Sequence, residues 1–560
     1  VSHTRKRLLE LQRRIHESLQ READRLLGRT PPAIARYEKE CLKDFSAIRG
    51  RLKEVEKPEL VREIRDADVT FIADFHTFAQ AQRTALRLIR DAAPAGPSRL
   101  TRDRWFIGLE FIASHQQEAL DLFQSGKLSL NEFLKAIRYH EEWGFPWSNY
   151  SPIFDWAREH GVRLIALNRP KEIAWGDPSG IRRARDITDL IQRDQWAAGV
   201  ISDLFAAESA VARSVKMIVL YGELHVSTNH LPAHLRRISS KHLGKPLKTL
   251  AIHQNQDSLY WQLAQRGREH HVQAVRLRKD AFCVISSTPW TKLQSLVSWA
   301  EGETIEDLAE EGSETSADYL SLMRTYSQAL AEFLGVHPPS FDSLTVHTID
   351  DADLLSPYFS ALIRYHVMNN MRLYIPEEEI AYLGVPSHNG ASEIAASHLF
   401  RARTGVKRLE METPDDFAMT TLEAAFAFLG SLILNPRRKC DLLGDHEERL
   451  RALKRGKEPA FILERESREL AIGLIRDTAD IRPLLRRRSM TPALLVGARY
   501  HGQVLGKQVH QGLLAGQIDV ETVRSIFLAR ARVGSFGPRL EKLLAIAPAG
   551  SSARSKTETL

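Results

Sequence analysis

The chain has 560 residues, 43% hydrophobic and 27% charged, with a net charge of +7. Such a length exceeds what one core ordinarily supports, and the composition is that of a globular protein rather than a disordered or fibrous one, so two to four domains are expected. Three cysteines, Cys41, Cys283 and Cys440, lie far apart without C-x-x-C spacing, which excludes a disulfide framework and a zinc knuckle.

Residues 1–48 form a charged N-terminal arm in which Leu8, Leu11, Ile15, Leu19 and Leu26 recur at helical spacing. This predicts one or two amphipathic helices, suited to packing or to forming a homo-oligomer. The arm has no apolar h-region and thus no visible signal peptide, and the chain as it stands reads as cytoplasmic. Apolar runs of the length that spans a bilayer, about 18 residues or more, are not seen, so no membrane span is expected.

From 49 to 300, short apolar runs alternate with helical ones, predicting an α/β domain with a mainly parallel sheet flanked by helices. Val69–Ile72 leads into Ala73-Asp74-Phe75-His76, and Arg104–Leu109 delivers Glu110. The densest aromatic and acidic stretch follows, Tyr139-His140-Glu141-Glu142-Trp143-Gly144-Phe145-Pro146-Trp147, with Tyr150 just beyond. Val162–Leu167 then delivers Asn168, and Met217–Tyr221 leads into Gly222-Glu223-Leu224-His225. Leu247–Ile252 and Ala281–Ser286 read as later strands. Residues 301–317 are an acidic linker, 318–550 a second, mainly helical domain that includes the runs 358–375 and 417–434, and 551–560 a polar, disordered tail. Basic clusters such as Arg437-Arg438-Lys439 read as solvated faces. Without a basic stripe bearing stacking aromatics, no nucleic-acid partner is expected.

Two segments repeat one pattern: small residue, carboxylate, apolar residue, histidine. If the four strands are parallel neighbours, Asp74, His76, Glu110, Asn168, Glu223 and His225 converge on one sheet edge, where ligands of open α/β sheets bind. Asp74, His76, Glu223 and His225 are then candidate ligands of a divalent metal ion, which would activate a bound water for hydrolysis. Without metal, His76 or His225 would serve as general base, oriented by Glu110 or by its own motif acid. His140, Trp143, Trp147, Tyr150 and Asn168 are candidates to line a pocket for a flat apolar ligand, with His140, Glu141 or Tyr150 reaching iron. No G-x-S-x-G, Walker loop or dinucleotide fingerprint occurs.

The ordered set ADFHT, FIGLEF, the segment from His140 to Pro170 and VLYGELH resembles the ChaN-like family of bacterial haem-binding proteins over about residues 60–300. The wider superfamily includes the Tiki metalloproteases, TraB-type proteins and erythromycin esterases. The resemblance implies an α/β fold with haem or iron binding in the ChaN branch, and a metal-dependent or His-based hydrolase in the sister branches. An interaction protein with a degenerate site is the third reading. Ala73 and Asp74 stand where the family usually has Gly and Glu, setting that carboxylate back by a methylene. ChaN-like proteins are commonly lipoproteins, and no lipobox occurs here.

Overall fold

The computed structural model describes residues 3–28, 32–46, 52–93, 103–170, 187–209, 214–306, 316–348, 372–383, 388–407, 411–453, 459–487 and 490–547. Two compact units emerge, one comprising Glu22–Ala300 and the other Val1–Arg21 with Glu301–Thr557.

In the first unit, eight strands form one sheet: β1 (Lys53–Val55), β2 (Val69–Asp74), β3 (Asp103–Ala113), β4 (Arg163–Asn168), β5 (Ser214–Gly222), β6 (Thr249–Gln254), β7 (Ala274–Arg278) and β8 (Ala281–Val284). Their order is β1-β7-β8-β6-β2-β5-β3-β4. From β8 to β4 every pairing is parallel, while β7 runs antiparallel to both β1 and β8. The parallel strands are near-continuous apolar runs because helices cover both faces; all six residues of β2 are buried. The chain places β5 on one side of β2 and then β6 on the other, so the order reverses beside β2. Carboxyl ends at such a reversal leave an open crevice.

Two local features set the crevice walls. The β3–β4 register shifts between Leu109 and Ala113, a bulge that interrupts the pleat around Glu110. The aromatic loop crosses as a short helix Tyr139–Glu142, a 3-10 turn Trp147–Asn149 and the helix Ser151–Glu159. It is tied to the β2 end where Asn149 Nδ2 donates to the His76 carbonyl at 3.4 Å.

The second unit is mainly helical and carries a small three-stranded sheet that the sequence pattern did not predict, β9 (Thr345–Thr348), β10 (Arg372–Ile375) and β11 (Ile380–Leu383), in the order β10-β11-β9. Its central pair is the helices Pro414–Leu434 and Thr491–Ala515. They approach so closely that a Cβ at Gly502 would lie 2.6 Å from the Thr421 carbonyl. Pro414–Leu434 is long and apolar enough to cross a membrane, contrary to the expectation from the run lengths. Yet nearly all of it is buried within the chain, as in a core helix. Its one interior charge, Glu423, is paired with Arg401.

Three expectations need correction. The stretch 358–375 was expected to be helix, yet Arg372–Ile375 is a strand; the rest of it lies outside the described residues. Residues 301–306 continue the helix Pro289–Glu306 instead of opening a linker, and 307–315 lie outside the described residues, as does the tail 551–560. The stripe Leu8, Leu11, Ile15 and Leu19 is already buried, and Gln12 Nε2 donates to the Ile433 carbonyl at 3.0 Å in the same unit, so this stripe offers an oligomer partner no apolar face.

Candidate functional site

β2 ends on Asp74, which is buried at 3% exposure. Its carboxylate accepts from Gln82 Nε2, from Tyr150 Oη at 2.9 Å and from His76 Nδ1 at 2.9 Å. Because an ionised carboxylate only accepts, Nδ1 carries the proton and Nε2 is left as the lone-pair nitrogen of the neutral ring. The His76 side chain is 24% exposed. It stands beside Trp143 at 4.4 Å and Phe145 at 5.0 Å between ring centroids, and Phe145 in turn packs on Trp299 at 4.9 Å. Burial opposes protonation of His76, but the Asp74 and Glu110 carboxylates outweigh it and raise its pKa above the ordinary imidazole value.

Glu110 lies at the bulge in β3 and is 4% exposed. One oxygen accepts from Arg193 Nη2 and the other from the Gly222 amide. Burial alone would raise its pKa. Arg193, His76, His225 and the Gly222 N–H together hold it below the usual carboxylate range. Arg193 Nε also donates to Asn168 Oδ1 at 3.2 Å, so one guanidinium bridges the ends of β3 and β4.

β5 ends on Gly222 and turns at once, the His225 amide donating to the Gly222 carbonyl at 2.9 Å. His225 Nδ1 lies 2.6 Å from Asp194 Oδ1, and Tyr37 Oη donates to the other Asp194 oxygen. Asp194 is fully buried. Burial and Asp194 push the Tyr37 phenol far above its ordinary pKa, which keeps it a donor. His225 Nε2 has no hydrogen-bond partner among the described residues.

These strand ends meet around Gly222. A Cβ placed there would lie 3.1 Å from Glu110 Oε2, 3.4 Å from His76 Nε2 and 3.5 Å from His225 Cδ2. His76 Nε2 and Glu110 Oε2 are 4.0 Å apart. Two imidazoles with carboxylate-bound Nδ1 atoms and one arginine-bound carboxylate thus face a small gap that glycine keeps open.

The remaining candidates fall elsewhere. Glu223 turns away to pair with Lys292 Nζ at 2.7 Å, so Asp74, His76, Glu223 and His225 do not assemble. Among the described residues no group of three or more His, Cys, Asp or Glu side chains could hold a metal ion. The carboxylates that a metal would need are committed to Gln82, Tyr150, Arg193 and Lys292. Tyr150 is buried with its hydroxyl on Asp74 and its pKa driven up by burial and that charge, which corrects its expected reach to iron. Trp147 packs into the core against Phe154 at 4.7 Å and Tyr139 at 5.5 Å, so it is not a pocket wall. His140 is exposed beside Tyr139, and Asn168 serves Arg193. The sequence reading missed Tyr37, Arg193 and Asp194. Asp194 had a signal: with Leu190, Ala197 and Ile201 it falls on the buried stripe of the helix Ile187–Glu208, where an unpaired acid is costly.

An open, mainly parallel sheet with paired imidazoles and carboxylates at its strand carboxyl ends defines an α/β protein with a candidate ligand site at the topological reversal. Residues 60–176 match the model of the family described as "Haem-binding uptake, Tiki superfamily, ChaN". That match includes Asp74, His76, Glu110 and the aromatic loop, and stops before the second motif. Among solved structures the chain is similar to "Cofacial heme binding to ChaN of Campylobacter jejuni", with 13% identity over 36% of this chain and 88% of that one, at a TM-score of 0.26. No curated protein matches the chain.

Proposed function

We propose that the protein binds haem at the β2 edge of this site, with His76 as the iron-facing imidazole. The observation that carries the reading is that the family-matched segment by itself supplies a part-exposed imidazole, the carboxylate that orients it and the aromatic rings beside it. Haem iron accepts histidine as an axial ligand, and a carboxylate on Nδ1 strengthens the ring as a donor. Trp143 and Phe145 would meet the apolar porphyrin face, while Arg193 keeps Glu110 ionised nearby. Bound haem would supply iron redox and diatomic-ligand chemistry; the chain's own contribution is to orient and screen the imidazole.

The test is a haem titration of the full chain followed by its absorption spectrum. Saturable binding with a Soret shift is expected. His76→Ala should abolish the shift, and Trp143→Ala should weaken affinity by about tenfold, the loss of roughly 1–2 kcal/mol of apolar contact. A His76→Ala protein that binds haem like the parent overturns the proposal.

A second reading, a His-based hydrolase, is favoured by the buried Asp194–His225 pair, whose free Nε2 belongs to the ring facing Gly222 and Glu110. In that reading His225 takes a proton from a water in the gap and Asp194 stabilises the imidazolium. Ester hydrolysis that is lost in His225→Gln but survives His76→Ala would select it.

A further inference from the structure

The helix Ile187–Glu208 brings one more large side chain to the crevice. Trp196 lies one turn beyond Arg193, on the same face of that helix. Its Nε1 donates to Ser114 Oγ at 3.0 Å. Ser114 directly follows Ala113, the last residue of β3, which pairs with Asn168 at the end of β4. Arg193 Nε donates to Asn168 Oδ1 at 3.2 Å, and Gln192 accepts from Arg169 Nη1. Contacts from residues 192, 193 and 196 thus pin this side of the helix to the exits of β3 and β4. Trp196 nonetheless stays 42% exposed, and among the described residues it is the one aromatic ring in the set of exposed large hydrophobic side chains.

Ser114 takes the single donor of the indole, so the ring is fixed in place and what it shows to water is apolar. At the exit of β2 stand His76, Trp143 and Phe145. In the order β2-β5-β3 the two exits are two strand spacings apart, about 10 Å. A compact ligand cannot touch both sets of rings, whereas a rigid, flat and extended one can. Resting on the haem reading above, we propose that Trp196 is a second aromatic contact for haem, meeting at the β3 end the part of the macrocycle that Trp143 and Phe145 do not reach. Its contribution is apolar contact and not ligation, since His76 is the imidazole that faces iron. Trp196 lies outside the family-matched segment 60–176, so it adds to the ligand preference of this chain something that segment does not supply.

The experiment is a haem titration of the full chain and its variants, read by the Soret band, with urea unfolding of the haem-free proteins alongside. Trp196→Ala should raise the dissociation constant about three- to tenfold, the scale of one lost aromatic contact. The Soret maximum and the urea midpoint should stay at the parent's values, which separates a wall residue from an axial ligand and from a fold-stabilising one. Trp196→Phe, which keeps an aromatic ring, should recover most of the affinity. If Trp196→Ala is unstable, the comparison of Trp196→Phe with Trp196→Gln decides, with tighter haem binding expected for Phe. A parent that binds haem and a Trp196→Ala protein that binds it equally well overturn this inference alone. A parent that takes up no haem overturns the haem reading and this inference with it.

Discussion

A proton and an iron atom would compete for His76 Nε2. Because the folded-state pKa of His76 is raised, the charged ring stabilises the folded protein below its unfolded value of about 6.5, and this contribution fades as pH rises through the raised value. Haem affinity runs the other way. It should climb by about tenfold per pH unit below that pKa and level off above it. Asp74→Asn removes the charge that most favours protonation, so it should move this climb to lower pH; affinity measured across the neutral range reads both effects. Gly222→Ala tests the gap itself. The new methyl would press on Glu110 Oε2 at 3.1 Å and fill the space beside His76 and His225, so a stability loss of about 1 kcal/mol is expected in denaturant unfolding, together with weaker ligand binding. The strand-end residues were legible in sequence because an apolar run ending in a polar residue marks a strand's exit from the core. Arg193 was not, because a lone arginine on a helix resembles a solvated face until its neighbours' burial is known; Asp194 was marked only by its place on an apolar stripe. Trp147 misled for the converse reason: its place in an aromatic cluster says nothing of which rings face inward.

At the scale of elements, glycine substitutions separate packing from propensity. Gly502→Ala would drive a methyl to 2.6 Å from the Thr421 carbonyl and the Ala424 Cβ between two core helices. A loss of about 2–3 kcal/mol should appear in urea unfolding, since backbone cannot yield as a flexible side chain can. Gly199, within Ile187–Glu208, has open space where its Cβ would stand, so Gly199→Ala should raise stability by roughly 0.5–1 kcal/mol. The parallel strands announced themselves as unbroken apolar runs such as Met217–Tyr221. β10 did not, because Arg372-Leu373-Tyr374-Ile375 closes a longer segment of helical spacing and four residues carry too little period to contradict it. β1 and β7, the antiparallel edge, are short and partly polar, and went unread.

Over the whole molecule, ligand binding should be visible where the ligand sits. Haem, bound as proposed and supplied at 100 times its dissociation constant, would stabilise the folded state by about 2.7 kcal/mol. Hydrogen exchange should then slow in β2, β3 and β5 of the unit Glu22–Ala300, whose carboxyl ends hold the site, while the helix pair of the other unit exchanges unchanged. Slowing confined to the second unit would place the ligand elsewhere. The α/β class of the first unit was readable from the alternation of runs alone. Its strand order was not, because the reversal at β2 depends on which faces the crossover helices find.

Arg193 and Asp194 are consecutive residues on one helix, yet they answer to different strands, the first to Glu110 and Asn168 and the second to His225. Any drift in that helix therefore alters the acidic and the imidazole sides of the crevice together, and neither can be retuned in isolation. Variation that changes what the crevice accepts has an easier route through the β2 exit and the aromatic loop, which this helix does not hold. Descendants of this chain would be expected to diverge in residues 75–76 and 143–145 long before they part with the Arg-Asp doublet.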